Sequence, residues 1–97
     1  MTNPLSEFPE LGCYLLPGHT DNPADIISEV RQAERLGLGS AWISERFDVK
    51  EAASLAGAAG AVTDRICIGT AATNINTRHP LVTASMATTL HKLTHER

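Results

Sequence analysis

Apolar and polar positions along this chain fall into blocks whose period switches repeatedly between that of a strand and that of a helix. Leu11-Gly12-Cys13-Tyr14-Leu15-Leu16 is a short apolar run closed by Pro17-Gly18, the pattern of a buried strand followed by a turn, and it predicts a first strand over 11–16. Ile26, Ile27, Val30, Ala33 and Leu36 then recur at helical spacing, with charged residues between them, which predicts a helix over 23–36. Asn22 is placed to cap that helix, Pro23 suits its first position, Asp25 sets negative charge at the positive end of the dipole, and Gly37 and Gly39 close it. Ser40-Ala41-Trp42-Ile43-Ser44 predicts a second strand over 40–44. Asp48-Val49-Lys50-Glu51 has the form of a capping box for a helix over 49–62 made almost wholly of small residues. A third strand is predicted over 65–71, and Pro80 opens a third helix over 80–93 with an apolar stripe of Val82, Met86, Leu90 and Leu93.

Strand and helix alternate with no hairpin signal between them, so neighbouring strands are expected to be parallel and joined by right-handed crossovers. This is the repeat of a β/α barrel, and doubly wound sheets share the same local grammar. A strand order of 1-2-3 would mark the barrel and 2-1-3 the doubly wound sheet. A dinucleotide fold would carry G-x-G-x-x-G after the first strand, where this chain has Pro17-Gly18-His19-Thr20-Asp21-Asn22.

The chain has 97 residues, whereas a closed barrel needs about 200 or more, so the fold class expected is α/β: the first three β/α units of a TIM (β/α)8 barrel, incomplete in this chain. Aromatic residues are only 4%, which leaves the core to Ile, Leu, Val and Ala. A net charge of -3 without any basic cluster argues against nucleic acid and against an anionic membrane surface as partners. Met1–Glu10 lacks the form of a secretory signal and the uncharged stretches are too short to span a bilayer, which together give a cytoplasmic expectation. Cys13 and Cys67 fall in predicted strands and are expected to act as small buried hydrophobes. His91 and His95 are four apart, a spacing that can hold a metal, but no third ligand accompanies them.

In a parallel α/β architecture ligands sit at the carboxyl ends of the strands, which singles out His19, the Ser44-Glu45-Arg46 run and Thr70 through His79. Two of these segments, Ala41-Trp42-Ile43-Ser44-Glu45-Arg46-Phe47 and Gly69-Thr70-Ala71-Ala72, with Thr77-Arg78-His79-Pro80 after them, resemble the second and third strands of the luciferase-like monooxygenase superfamily. Its members are flavin- and coenzyme F420-dependent β/α-barrel oxidoreductases.

The resemblance implies that Thr70, Ala71 and Ala72 lie against the cofactor ring, with a cis peptide between Ala71 and Ala72. It implies that Glu45 and Asn74 bind the cofactor; read without it, Glu45 joins Arg46 in a solvated loop and Asn74 is a turn residue. By the resemblance, Arg46 stands where many members carry a His. A guanidinium is a poor general base, so Arg46 as the catalytic candidate would act by holding an anionic substrate or a phosphate. His79 is expected to cap the helix that follows it.

By the same resemblance the parent enzyme passes a hydride between F420 and a small-molecule organic substrate, with FMN-dependent monooxygenation as the alternative. A homo-oligomer is expected through the helices 49–62 and 80–93, with Ala56 and Ala59 allowing close approach. Three of eight units cannot complete a barrel-rim site, so the chain alone is expected to be inactive. A non-catalytic interaction module is the reading from a different class.

Overall fold

The computed structural model describes residues 6–18 and 21–97, so the rim candidate His19 lies outside the described residues. Three strands, β1 (Phe8–Tyr14), β2 (Leu38–Ile43) and β3 (Cys67–Thr70), alternate with α1 (Asp25–Arg35), α2 (Ala52–Ala61) and α3 (Pro80–Leu93). The strands pair in parallel in the order β1-β2-β3, which is the barrel order and not the doubly wound one.

Sequence and structure differ most in β1. It begins at Phe8 and ends at Tyr14, and Leu15 and Leu16, expected to complete it over 11–16, leave the strand to plug the core at 2% exposure each. Apolar character there marks burial and not extension. Leu16 takes a left-handed φ of 49° and its N–H is held by Glu29 Oε1 at 2.8 Å.

Helix α1 begins two residues later than 23–36 predicts. Asn22 does cap, but one turn early: its carbonyl and side-chain oxygen accept from Asp25 N–H and Ala24 N–H, and Pro23 O accepts from Ile26 N–H. These short i→i+3 steps form a lead-in turn before the α-helix proper. Ile26, Val30 and Ala33 are its buried stripe, as the spacing predicts. Gly37, at φ 83°, closes the helix and turns directly into β2, which therefore starts at Leu38 and not Ser40. Gly39 is part of that strand, not of the helix end: a side chain on it would collide with the Pro9 backbone.

The expected capping box is also displaced. Asp48 has φ 61° within a tight turn whose Arg46 N–H meets Lys50 O at 3.1 Å, and Glu51 is itself the cap, accepting from Ser54 N–H at 3.0 Å. Helix α2 accordingly spans 52–61 and not 49–62. Between α2 and β3 the chain is pinned by Glu34, whose carboxylate accepts from the N–H groups of Asp64, Arg65 and Ile66 at 2.7–3.0 Å. Helix α3 has the predicted bounds, with His79 Nδ1 accepting from Leu81 N–H at 3.1 Å.

The core lies between the helices and one face of the sheet, around Leu15, Ile26, Val30, Ile43, Leu55 and Ile66. The other face is open and carries Tyr14 at 45% and Trp42 at 41% exposure. The Trp42 indole lies across it over the two flanking strands: a Cβ built on Gly69 would stand 2.6 Å from the ring, and one on Gly12 2.9 Å from Nε1. Cys67, expected to be buried, is exposed because it pairs with Ser40, on this open face; Cys13 is half-buried. His91 and His95 do not share a helix face, since α3 ends at Leu93 and His95 has φ 52°. No group of metal-ligating side chains exists among the described residues.

Ala56 and Ala59 are 1% and 0% exposed, buried in this chain's own core, so they do not form the outward contact expected of them. Ala59→Leu should therefore overpack the core and lower stability by about 1–3 kcal/mol. Gly57 has open space where a Cβ would sit, and Gly57→Ala should raise stability by about 0.5–1 kcal/mol through helix propensity. Urea unfolding of both variants reads the difference, and opposite signs are expected.

Candidate functional site

The carboxyl ends of all three strands meet at one rim. At the end of β3 the chain passes through a cis Ala71–Ala72 peptide bond. It is tied to β2 on both sides: Ala71 N–H donates to Ile43 O at 2.8 Å, and Ala72 O accepts from Glu45 N–H at 3.1 Å. Ala71 and Ala72 are both exposed, so the segment presents backbone and methyl groups beside the open sheet face.

Glu45 organises this rim. Its carboxylate accepts from Ala52 N–H at the start of α2, from Asn74 N–H in the loop after β3, both at 3.0 Å, and from both terminal nitrogens of Arg78 at 2.6 and 2.5 Å. Four donors fill the acceptor sites of the two oxygens. The Arg78 guanidinium above all, and then the backbone donors, outweigh desolvation and hold the Glu45 carboxyl at about 2. Arg78 also reaches Glu51 at 3.3 Å. Glu45 is therefore the anchor of the loop after β3, and the solvated-loop reading does not describe it.

The remaining expected residues separate. Asn74 joins this network through its backbone, while its Oδ1 accepts from Asn76 N–H at 2.8 Å in an Asx turn, so the side chain has Nδ2–H donors to offer a ligand. Arg46 is exposed at the start of the tight turn and shares with Glu45, Asn74 and Arg78 a cleft of about 710 Å³. Thr70 pairs with Ile43, a core residue, which puts the Thr70 side chain on the helix-facing side, away from the open face.

Sequence reasoning passed over the most enclosed polar group at the rim. Lys50 is 5% exposed, and its three ammonium donors find Leu16 O at 2.9 Å, Ser44 Oγ at 3.0 Å and Tyr14 Oη at 3.3 Å. Tyr14 Oη and Ser44 Oγ are hydrogen-bonded to each other. Lys50 reads in sequence as one charged residue in a capping segment. Only the left-handed turn at Asp48, invisible in the pattern, swings it inward. Arg78 had no signal beyond its place in a familiar stretch of residues, because its partner lies 33 positions away.

Comparison with known proteins places the fold. The profile of the luciferase-like monooxygenase family matches residues 8–97. A 5,10-methylenetetrahydromethanopterin reductase of Methanopyrus kandleri is 37% identical over 79 residues, covering 81% of this chain and 22% of the relative. The solved structure of the coenzyme F420-dependent tetrahydromethanopterin reductase from Methanopyrus kandleri superposes with a TM-score of 0.80 at 33% identity, over 97% of this chain and 26% of that one. The chain thus spans about a quarter or less of the relatives it matches, and within that span it is an α/β unit that belongs to the luciferase-like monooxygenase family.

Proposed function

We propose that these three β/α units form the cofactor-facing wall of an F420-dependent oxidoreductase that passes a hydride between the deazaflavin and a small organic substrate. The observation that carries this reading is the exposed Ala71–Ala72 shelf at the rim, fixed to β2 by Ile43 and Glu45 beside an open sheet face. A planar ring packs best on backbone and methyl groups held rigid from behind, and the residues here fit that demand. The Trp42 indole fills the face below the shelf, giving the ring a floor. When bound, F420 supplies the hydride chemistry, and the protein supplies position and electrostatics.

Within this reading Ala71 and Ala72 bear the ring, Asn74 offers Nδ2–H donors, and Arg46 in the adjoining cleft holds anionic groups of substrate or cofactor. Glu45 acts from behind as a positioning residue, since its oxygens are already used within the chain. F420 is preferred to FMN because the matched structure is that of an F420-dependent reductase. Fluorescence titration of the parent enzyme that carries these three units, with F420 and with FMN, is the test, since three units alone are expected not to bind either tightly. Saturable binding of F420 is expected, whereas saturation by FMN alone, or by neither, overturns the assignment.

Homo-oligomer formation through α2 and α3 fits the surface between them, where Ala53 and Gly57 meet Leu81, Val82 and Leu93 around a groove of about 520 Å³. Leu81 is 74% and Val82 55% exposed in the single chain. Leu81→Glu should weaken self-association about tenfold or more, read by sedimentation equilibrium.

Replacing Glu45 by Gln removes the charge but keeps the shape. The loss of charge-assisted bonds to Arg78 should cost about 2–3 kcal/mol of stability and weaken F420 binding. The sign with pH follows from the depressed carboxyl. Glu45 contributes stability that is complete above its ordinary value of 4.5 and lost as pH falls toward about 2. Acid unfolding of Glu45→Gln should be correspondingly less steep across that window.

A further inference from the structure

The Tyr14–Ser44–Lys50 cluster lies at the ends of β1 and β2, at the same rim as the proposed cofactor shelf, and nothing in the reading above uses it. Its parts are unequal. Lys50 is almost fully buried and has all three ammonium protons placed on oxygen acceptors, whereas Tyr14 is 45% exposed with its ring on the open face. The ammonium also lies 5.1 Å from the Tyr14 ring centroid. Such a buried cation is fixed in place and acts on one accessible hydroxyl.

We infer that Tyr14 is the proton donor of this site, with Lys50 and Ser44 as its positioning residues, and that the substrate it serves is a neutral carbonyl compound reduced to an alcohol. The substrate class follows from charge. Hydride addition to a cationic C=N carbon gives a neutral amine and needs no proton, while hydride addition to a neutral C=O carbon places a negative charge on oxygen that must be quenched. A phenol backed by an ammonium meets the second need. Arg46 does not, because a guanidinium stays protonated throughout.

The step balances as follows. With a hydride and its two electrons supplied to the carbonyl carbon by the reduced deazaflavin that would be bound at the shelf, the C=O π bond breaks toward oxygen and the Tyr14 O–H proton passes to that oxygen. Tyr14 is left as a phenolate facing Lys50 Nζ and Ser44 Oγ, and it recovers a proton from solvent through its exposed edge. The hydride source rests on the F420 reading, but the proton-donating cluster stands on its own geometry. In keeping with that geometry, the hydrogen bond with Ser44 first and that from Lys50 next pull the Tyr14 hydroxyl below its ordinary value, against the opposing effect of burial. Among the described residues the charged groups acting on it are Lys50 and, more weakly, Arg46.

Two measurements decide the matter. Tyr14 ionisation is followed at 295 nm in the full chain, as the absorbance difference from Tyr14→Phe, with no cofactor present. The midpoint is expected below that of free tyrosine, and both Ser44→Ala and Lys50→Met should move it up. A midpoint at or above that of free tyrosine, or one that neither substitution moves, overturns the proposal. If Lys50→Met does not fold, Ser44→Ala and the charge-conserving Lys50→Arg, whose midpoint should remain low, decide it. In the second measurement F420 affinity and turnover of a ketone probe are compared in the parent enzyme that carries these units, with and without Tyr14→Phe. Affinity should change by less than about twofold while kcat falls roughly a hundredfold or more. Ketone reduction by Tyr14→Phe at the wild-type rate overturns the proposal. If the protein binds no F420, the deazaflavin reading falls, whereas a low Tyr14 midpoint set by Lys50 still upholds the proton-donating cluster.

Discussion

The rim of this chain depends on one saturated carboxylate. Glu45 collects four donors from three separate segments: the start of α2, the loop after β3 and the approach to α3. Each donor alone is worth on the order of 1–3 kcal/mol, but together they fix where the loop after β3 can lie, and its own N–H holds Ala72 O from the other side. Loops at the carboxyl ends of strands have little core of their own to hold them, so the exposed Ala71–Ala72 segment needs such a tie to keep its place. The same saturation limits what Glu45 can do, since an oxygen already bonded to Arg78 and to backbone has little left to offer a ligand.

A second carboxylate does the matching work at the opposite end of the sheet. Glu34 receives three successive backbone N–H groups just before β3, and Arg65 returns a bond to Glu34 O at 2.7 Å. Desolvation pushes the Glu34 carboxyl up, yet the backbone donors together win and lower it. Arg97 repeats the device in reverse sign, its guanidinium taking Gly60 O and Thr63 O at the carboxyl end of α2. In β/α architectures the amino-terminal end of the strands serves stability and the carboxyl-terminal end serves chemistry. Glu34 and Arg97 lie at the first of these ends, Glu45 and Lys50 at the second.

What could be read in the sequence was whatever periodicity encodes. The three strand–helix units, the buried stripe of α1 and the bounds of α3 follow from spacing and caps within a few residues of each other. What could not be read depended on backbone turns of the left-handed kind or on partners far apart. Leu16 and Asp48 are neither Gly nor Asn, yet both sit at positive φ, and each re-aims the chain where apolar pattern alone extends a strand or starts a helix. The site divides in the same way. The familiar stretches drew attention to Glu45, Arg46, Ala71, Ala72 and Asn74, but the bonds joining Glu45 to Asn74 and Arg78 span about thirty positions, and no local rule gives them. Thr70, one step of strand alternation from Gly69, has its side chain turned toward the helices.

The open sheet face explains why so sparse an aromatic content suffices. Trp42 lies flat because Gly12 and Gly69 stand beside it on the neighbouring strands, so one indole covers the width of three strands where bulkier neighbours would force it upright. Its Nε1–H is satisfied within its own strand by Ser40 Oγ at 2.9 Å, leaving the exposed ring face apolar. Level with it on β1 stands its register partner Tyr14, and two residues further toward the rim comes Ser44, both bonded to a buried ammonium. An apolar floor beside a polar wall would orient a molecule bound as proposed: its flat, uncharged part would lie on the indole and alanine surface, and an atom gaining negative charge would face the Tyr14 hydroxyl. Fixing both with rigid backbone and buried charge, instead of with long mobile side chains, keeps that orientation at low entropic cost.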